Sequence, residues 1–333
     1  MTETSLLKIE SSLATNRTTA SYTNPVYASY FADPMVFRHD GIYYAVGTGP
    51  RPEGVNTGEF TLLRSDNLVD WHPLGMALST PDAFEGCTFW APEVAIADGK
   101  FYLYYSVGKG DQAHQLRVAI SDTPDGPYED CGRLSPEDCL FSIDASPYQH
   151  SDGDWYLFYA VDFLEGDRPG TSLVVDRLLD MTTLEGNPQV VARATADWQR
   201  FQSGRSMYGG IYDWHTLEGP FPVLHDGKIY CLYSGGNWQN ESYGVDFVVA
   251  DHPLGPYRNE AVDIPRVLKT IPNRVLGPGH NSVTVAPNGE TQYIVYHAWD
   301  ADRTARLMRI DPLHWSADGP TCDGPSLSEH PLI

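Results

Sequence analysis

Apolar residues along this chain come in pairs of short runs that meet at a glycine-bearing turn. Met35-Val36-Phe37 leads through Asp40-Gly41 to Ile42–Val46, and Val94-Ala95-Ile96 leads through Asp98-Gly99 to Phe101–Tyr105. The same grammar returns at 144–160 (DASPYQHSDGDWYLFYA), 218–236 (EGPFPVLHDGKIYCLYSGG) and 279–299 (GHNSVTVAPNGETQYIVYHAW). Asp and Gly tolerate the positive φ of a two-residue hairpin turn, and the runs are rich in β-branched and aromatic residues, so each copy predicts two antiparallel strands. Helical periodicity is almost absent. A proline precedes the turn aspartate by six residues in three copies, Pro34/Asp40, Pro92/Asp98 and Pro220/Asp226; the third copy is one residue shorter, and the fifth carries Ser282 in place of proline.

The segments after the hairpins recur as well. RSDNLVDWHPLG (64–75), ISDTPDGPYED (120–130) and VADHPLGPYRN (249–259) each read as a strand end, a turn with Asp and a further aromatic strand. About four strands per unit and five units predict an all-β, five-bladed β-propeller over residues 28–333, with residues 1–27 as a lead segment outside the repeat. A sandwich would not explain five copies of one hairpin in phase.

In a propeller the first strand of each blade lines the central channel, and its start points at one mouth. Asp33, Ala91, Asp144, Glu218 and His280 stand at or beside that one phase. A lone Asp before Pro is ordinary turn chemistry. Three carboxylates and a histidine converging on one mouth repel, push their pKa values apart and read as a site.

Composition narrows the ligand. With 22 basic and 44 acidic side chains the formal charge is −22, which keeps the chain soluble, disfavours nucleic acid and anionic membrane, and favours neutral or cationic ligands. No run approaches the length of a membrane span. The five cysteines, Cys87, Cys131, Cys139, Cys231 and Cys322, show no paired spacing and read as reduced thiols. The N-terminus lacks a basic stretch followed by an apolar one, so the expected location is cytoplasmic.

Two carboxylates facing across a pocket suit glycoside hydrolysis, with a third to tune the acid. Trp90 directly precedes the second inner strand and is the candidate sugar platform at the mouth. Tyr43, Tyr102, Tyr156, Tyr230 and Tyr293 read as packing between blades. Glu93 reads as a structural hydrogen-bonding group, and His39, His150 and His225 as solvated residues near turns. The insert FQSGRSMYGGIYDWHT (201–216) is too long for a tight connection and brings Tyr208 and His215 forward as rim residues that contact substrate. His297 reads as core.

The motifs ADP (32–34), WAPE (90–93), IDAS (143–146), EGPF (218–221), GHNSV (279–283) and ARLMRIDPLHW (305–315), in this order from Asn24-Pro25 to about Pro320, resemble glycoside hydrolase family 43. Ala145 departs from the commoner proline. The resemblance implies a five-bladed propeller and an inverting mechanism, with Asp33 as general base, Glu218 as general acid and Asp144 setting the acid's pKa and orientation. It implies a substrate-contacting arginine at Arg306 and, at His280, a histidine that holds water or a calcium or sodium ion; no cofactor is otherwise required. Inversion would place the Asp33 and Glu218 carboxyls in the range of ~6.5–9.5 Å. The family's substrates point to an oligosaccharide and to an exo-acting α-L-arabinofuranosidase, with β-D-xylosidase, β-D-galactofuranosidase and endo-arabinanase as alternatives. A non-catalytic sugar-binding propeller would have lost a carboxylate, and a retaining fructan hydrolase would carry the NDPNG and RDP motifs missing here.

Overall fold

The computed structural model describes residues 21–51 and 57–333; most of the 1–27 lead segment, residues 1–20, lies outside them. Five antiparallel blades succeed one another along the chain, as the repeat predicts. Blade one comprises Ala32–His39, Ile42–Thr48, Glu59–Ser65 and His72–Leu78; blade two comprises Thr88–Ala97, Lys100–Lys109, Gln112–Ser121 and Glu129–Arg133. Blade three is built on Ser142–Gln149, Trp155–Phe163 and Gly170–Asp180, and its outer edge is split between Thr183–Leu184 and Gln189–Ala192. Blade four has Gly210–His225, Lys228–Gly235 and Gly244–Ala250, with bridges at Arg258 and Leu268 in place of a full fourth strand. Blade five has Leu276–Val285, Gln292–Trp299, Arg306–Ser316 and Gly319–Cys322. The expected Asp-Gly turns form, with positive φ at both positions of Asp40-Gly41, Asp98-Gly99 and Asp226-Gly227.

The second strand of every blade is buried on both faces, which is why it reads as an unbroken apolar run. Its period of two sends alternate side chains to opposite neighbours. Tyr43 and Ala45 pack with Tyr293, Val295 and Met308 of blade five, while Tyr44 and Val46 pack with Val94, Phe101 and Leu103 of blade two. Tyr102 and Tyr104 meet Leu157 and Tyr159, Tyr156 and Phe158 meet Ile229 and Cys231, and Leu232 meets Ile294 and Tyr296. Five such interfaces are the core, and all five tyrosines assigned to packing lie in them.

The ring is closed by residues before the first inner strand. Ser21–Tyr22 pairs with His330–Pro331, and Tyr27 bridges to Met308. Asn24 acts as a surrogate strand residue: its side-chain amide donates to the Ile310 carbonyl at 2.7 Å and its Oδ1 accepts the Ile310 amide at 3.0 Å.

Candidate active site

Each inner strand carries one extra residue at its start. Between Ala32↔Thr48 and Met35↔Val46 the inner strand of blade one advances three residues while its partner advances two, and the same shift recurs between Trp90 and Glu93, Ile143 and Ser146, Glu218 and Phe221, and Gly279 and Ser282. The bulged residue is left-handed every time: Asp33 (φ 51°), Ala91 (48°), Asp144 (60°), Gly219 (56°) and His280 (49°). For the four non-glycine residues this costs about 1–2 kcal/mol each. It also swings the amide toward the preceding blade, where a side chain receives it. Ala91 N–H donates to Thr48 Oγ1 (2.8 Å), Asp144 N–H to Ser106 Oγ (3.2 Å), His280 N–H to Ser234 Oγ (2.7 Å) and Asp33 N–H to His297 Nδ1 (3.1 Å). Bulges re-aim side chains beside active sites, and here five of them converge on one mouth.

Glu218 precedes the bulge residue Gly219 and so shares its register with Trp90, one step from Asp33 and Asp144. Gly219 stands where its neighbour's ring leaves little room: a β-carbon there would lie 3.1 Å from His280 Cγ.

The three carboxylates are held differently. Burial alone would raise Asp33; His280 (3.3 Å), Arg306 (3.3 Å), His297 (3.4 Å) and the Thr48 hydroxyl overcome it and hold the carboxyl well below the ordinary range. Burial lowers both imidazoles, so the permanent charge facing Asp33 is the Arg306 guanidinium. Glu218 is pushed up to about 7, by burial first and by the charge of Asp33, against the Tyr243 hydroxyl and Arg306. Asp144 is raised by burial and by the charges of Glu218 and Asp33, and is opposed by the Gly219 amide, which donates to its Oδ2 at 2.9 Å. A backbone amide can only donate, so it favours the negative charge on Asp144. The Tyr243 hydroxyl, 2.6 Å from Glu218 Oε1, can donate or accept and is compatible with a proton on Glu218. The mouth thus carries one firmly ionised carboxylate and a mutually coupled pair.

Rings fix the spacing. Tyr243, the partner of Glu218, stacks on His297, the partner of Asp33, with centroids 5.9 Å apart and planes 14° from parallel. Gly279 makes this possible, because a β-carbon there would run into the Tyr243 ring. Arg306 is gripped by the Tyr30 hydroxyl at 3.1 and 3.0 Å and lies 4.6 Å over Trp238, which stacks on Trp299. Trp90 stacks on His114 at 3.6 Å and shares with Tyr30, Thr48 and Arg306 the wall of a cavity of about 410 Å³.

A family model described as glycosyl hydrolases family 43 matches residues 22–321. The chain belongs to this family. It is 26% identical over 329 residues to an extracellular exo-α-(1→5)-L-arabinofuranosidase of Streptomyces avermitilis, covering 91% of this chain and 64% of that protein, so the chain spans just under two thirds of that relative's length. It is 29% identical over 317 residues to the β-D-galactofuranosidase xynD of Aspergillus niger, covering 90% and 82% of the two chains. The crystal structure of a thermostable family-43 glycoside hydrolase superposes with a TM-score of 0.80 at 32% identity, over 93% of this chain and 98% of the other.

Within the family 43 frame, Asp33, Asp144, Glu218, His280, Arg306 and Trp90 come together. Tyr208 stands on the hairpin formed by Arg200–Met207 and the start of the long Gly210–His225 strand, and its hydroxyl donates to Asp162 Oδ2 at 2.7 Å. His215 is buried, holds the Asp213 carbonyl through Nδ1 (3.0 Å), and has Arg200, Arg168 and Asp197 as its charged neighbours instead of the three carboxylates. Glu93 is buried, and burial raises its carboxyl well above the usual range against the Ser146 hydroxyl, in keeping with a structural hydrogen-bonding group. His297, Thr48, Tyr243, Tyr30 and Trp238 were not legible as site residues, since each lies on a strand or loop whose own pattern is that of core or connection.

The cytoplasmic expectation is overturned by the relatives, which include enzymes named as extracellular. It rested on the N-terminal residues and on the lack of an apolar run long enough to span a membrane, neither of which carries such weight.

For an ion beside His280, the donor set decides between modes of binding. Asp33 is already engaged by Arg306 and His280, and burial raises Glu93, which disfavours direct ligation by either of these two carboxyls. Asn281 is buried with neither Oδ1 nor Nδ2 partnered by protein, and a group that both donates and accepts fits water or a cation that keeps its water shell. Among the described residues the group with metal-ligand spacing is His150, Asp152 and His252, on turns at the opposite end of the blades. There His252 Nδ1 already accepts the Leu254 amide, which leaves the proton on Nε2.

Proposed function

We propose that this chain hydrolyses α-L-arabinofuranosyl units from the non-reducing ends of arabino-oligosaccharides with inversion. The observation that carries the reading is the split in protonation at one mouth: Asp33 held ionised by Arg306, and Glu218 raised to about 7. Asp33 takes a proton from a water as that water forms its bond to the anomeric carbon. Glu218 gives its proton to the departing glycosidic oxygen as the old bond breaks, so the proton count balances. The Gly219 amide, which can only donate, favours the charge on Asp144, and a charge there favours keeping the proton on Glu218 until the leaving oxygen needs it. Trp90 offers an aromatic face, and Arg306 with Tyr30 offers donors to sugar hydroxyls.

The arabinofuranosyl preference follows the name of the Streptomyces avermitilis relative; β-D-galactofuranose is the second reading, because the Aspergillus niger relative is of similar identity. An extracellular site of action is the reading that the name of the Streptomyces avermitilis relative supports. Water, or a hydrated hard cation, beside His280 and Asn281 completes the mouth. Aryl glycosides of α-L-arabinofuranose, β-D-xylopyranose and β-D-galactofuranose test the sugar, and arabino-oligosaccharides test exo action. Proton NMR of the first-formed sugar tests inversion, and a product of retained configuration would overturn the mechanism.

A further inference from the structure

Four of the five blade-to-blade latches at the mouth end on a side chain from one position of the preceding blade's second strand. Thr48 faces Ala32, Ser106 faces Trp90, Ser234 faces Glu218 and His297 faces Gly279 in the ladders, and each receives the bulge amide of the next blade. The corresponding position of blade three is Ala160, which faces Ile143 and has no side-chain acceptor. The amide left without a latch is that of Gly219, and it is this amide that donates to Asp144 Oδ2.

We infer that Ala160 is a positioning residue for catalysis: by withholding an acceptor, it leaves the Gly219 amide free to donate to Asp144 Oδ2, where it orients that carboxyl and favours negative charge on it. The inference rests on the proposed roles of Asp144 and Glu218. A hydroxyl at position 160 would complete the fifth latch as in the other blades. Asp144 would then lose the donor that favours its ionised state, its proton affinity would rise, and the balance of the coupled pair would shift toward a proton on Asp144 and away from Glu218.

The test is Ala160→Ser, with Ala160→Thr as a second variant bearing the side chain that Thr48 presents at the same place. Ala160→Cys is the packing control, since a thiol is of similar size and a weak acceptor. The pH profile of kcat/KM is read on a substrate whose leaving group needs protonation. Ala160→Ser is expected to narrow the profile from both sides, by about one pH unit in total, and to lower the maximum by about three- to tenfold, with a smaller loss on activated aryl glycosides. Ala160→Cys should keep the limbs where they are. A folded Ala160→Ser or Ala160→Thr enzyme with unmoved limbs, or a Cys variant shifted as far as the Ser variant, overturns the inference. The leaving-group dependence of Glu218→Ala, measured alongside, separates this failure from that of the mechanism: if Glu218→Ala is equally crippled on good and poor leaving groups, the assignment of the acid falls first.

Discussion

Tyr243→Phe removes one oxygen from the mouth and leaves the ring stacked on His297. In the structure its hydroxyl lies 2.6 Å from Glu218 Oε1 and works against the rise of that carboxyl to about 7. A hydrogen bond to an ionised group is worth about 1.5–3 kcal/mol, and one pKa unit is about 1.4 kcal/mol, so the full effect would be ~1–2 units. Glu218 is only partly shielded from solvent, which points to the lower end. The alkaline limb of kcat/KM reports loss of the acid's proton. It should move up by about one unit in Tyr243→Phe on an arabino-oligosaccharide, with the acid limb in place. The sign is diagnostic. If Tyr243 instead accepted a proton from neutral Glu218, its removal would destabilise the neutral form and move the limb down. A downward shift, or none, would refute the account of how Glu218 is tuned.

Asp33→Ala should abolish turnover on every substrate, whereas Glu218→Ala should lose least on activated aryl glycosides; equal losses for Glu218→Ala across leaving groups would reverse the assignment. Because Glu218 has a folded pKa near 7 against 4.5 for the free group, the native state binds the extra proton and stability falls as pH rises between those values. Glu218→Gln, which removes the titration, should therefore stabilise by up to about 3 kcal/mol at pH above 7 and by little near pH 4, as read from denaturant midpoints. If the species beside His280 is water or a loosely held hydrated ion, chelator treatment should leave activity and Tm unchanged; a fall restored by one divalent cation would show a required metal instead.

Much of the architecture was legible because it is periodic. Asp40-Gly41, Asp98-Gly99 and Asp226-Gly227 demand positive φ locally, and runs such as Ile42–Val46 alternate between two neighbours whatever those neighbours are. The prolines at 34, 92 and 220 set the phase, and they align Asp33 and Ala91 with Gly219 and so place Glu218 one residue earlier. That offset was present in the sequence and matters chemically, since it gives the acid a different register from the base.

Strand period, turn residues and repeat phase are local properties, so the order of residues was enough to set out the blades and to bring Asp33, Asp144, Glu218 and His280 to one mouth. The protonation pattern is not local and came only with the folded ring. Arg306 reaches Asp33 across 273 positions, His297 across 264, and the Gly219 amide reaches Asp144 across 75. A pKa depends on charges and donors within a few ångströms and on burial, and closing a ring of blades brings together groups that no local pattern relates. The same closure gives Ala160 its meaning: in the chain it is one small residue in an apolar strand, and at the mouth it is the acceptor missing from the fifth latch.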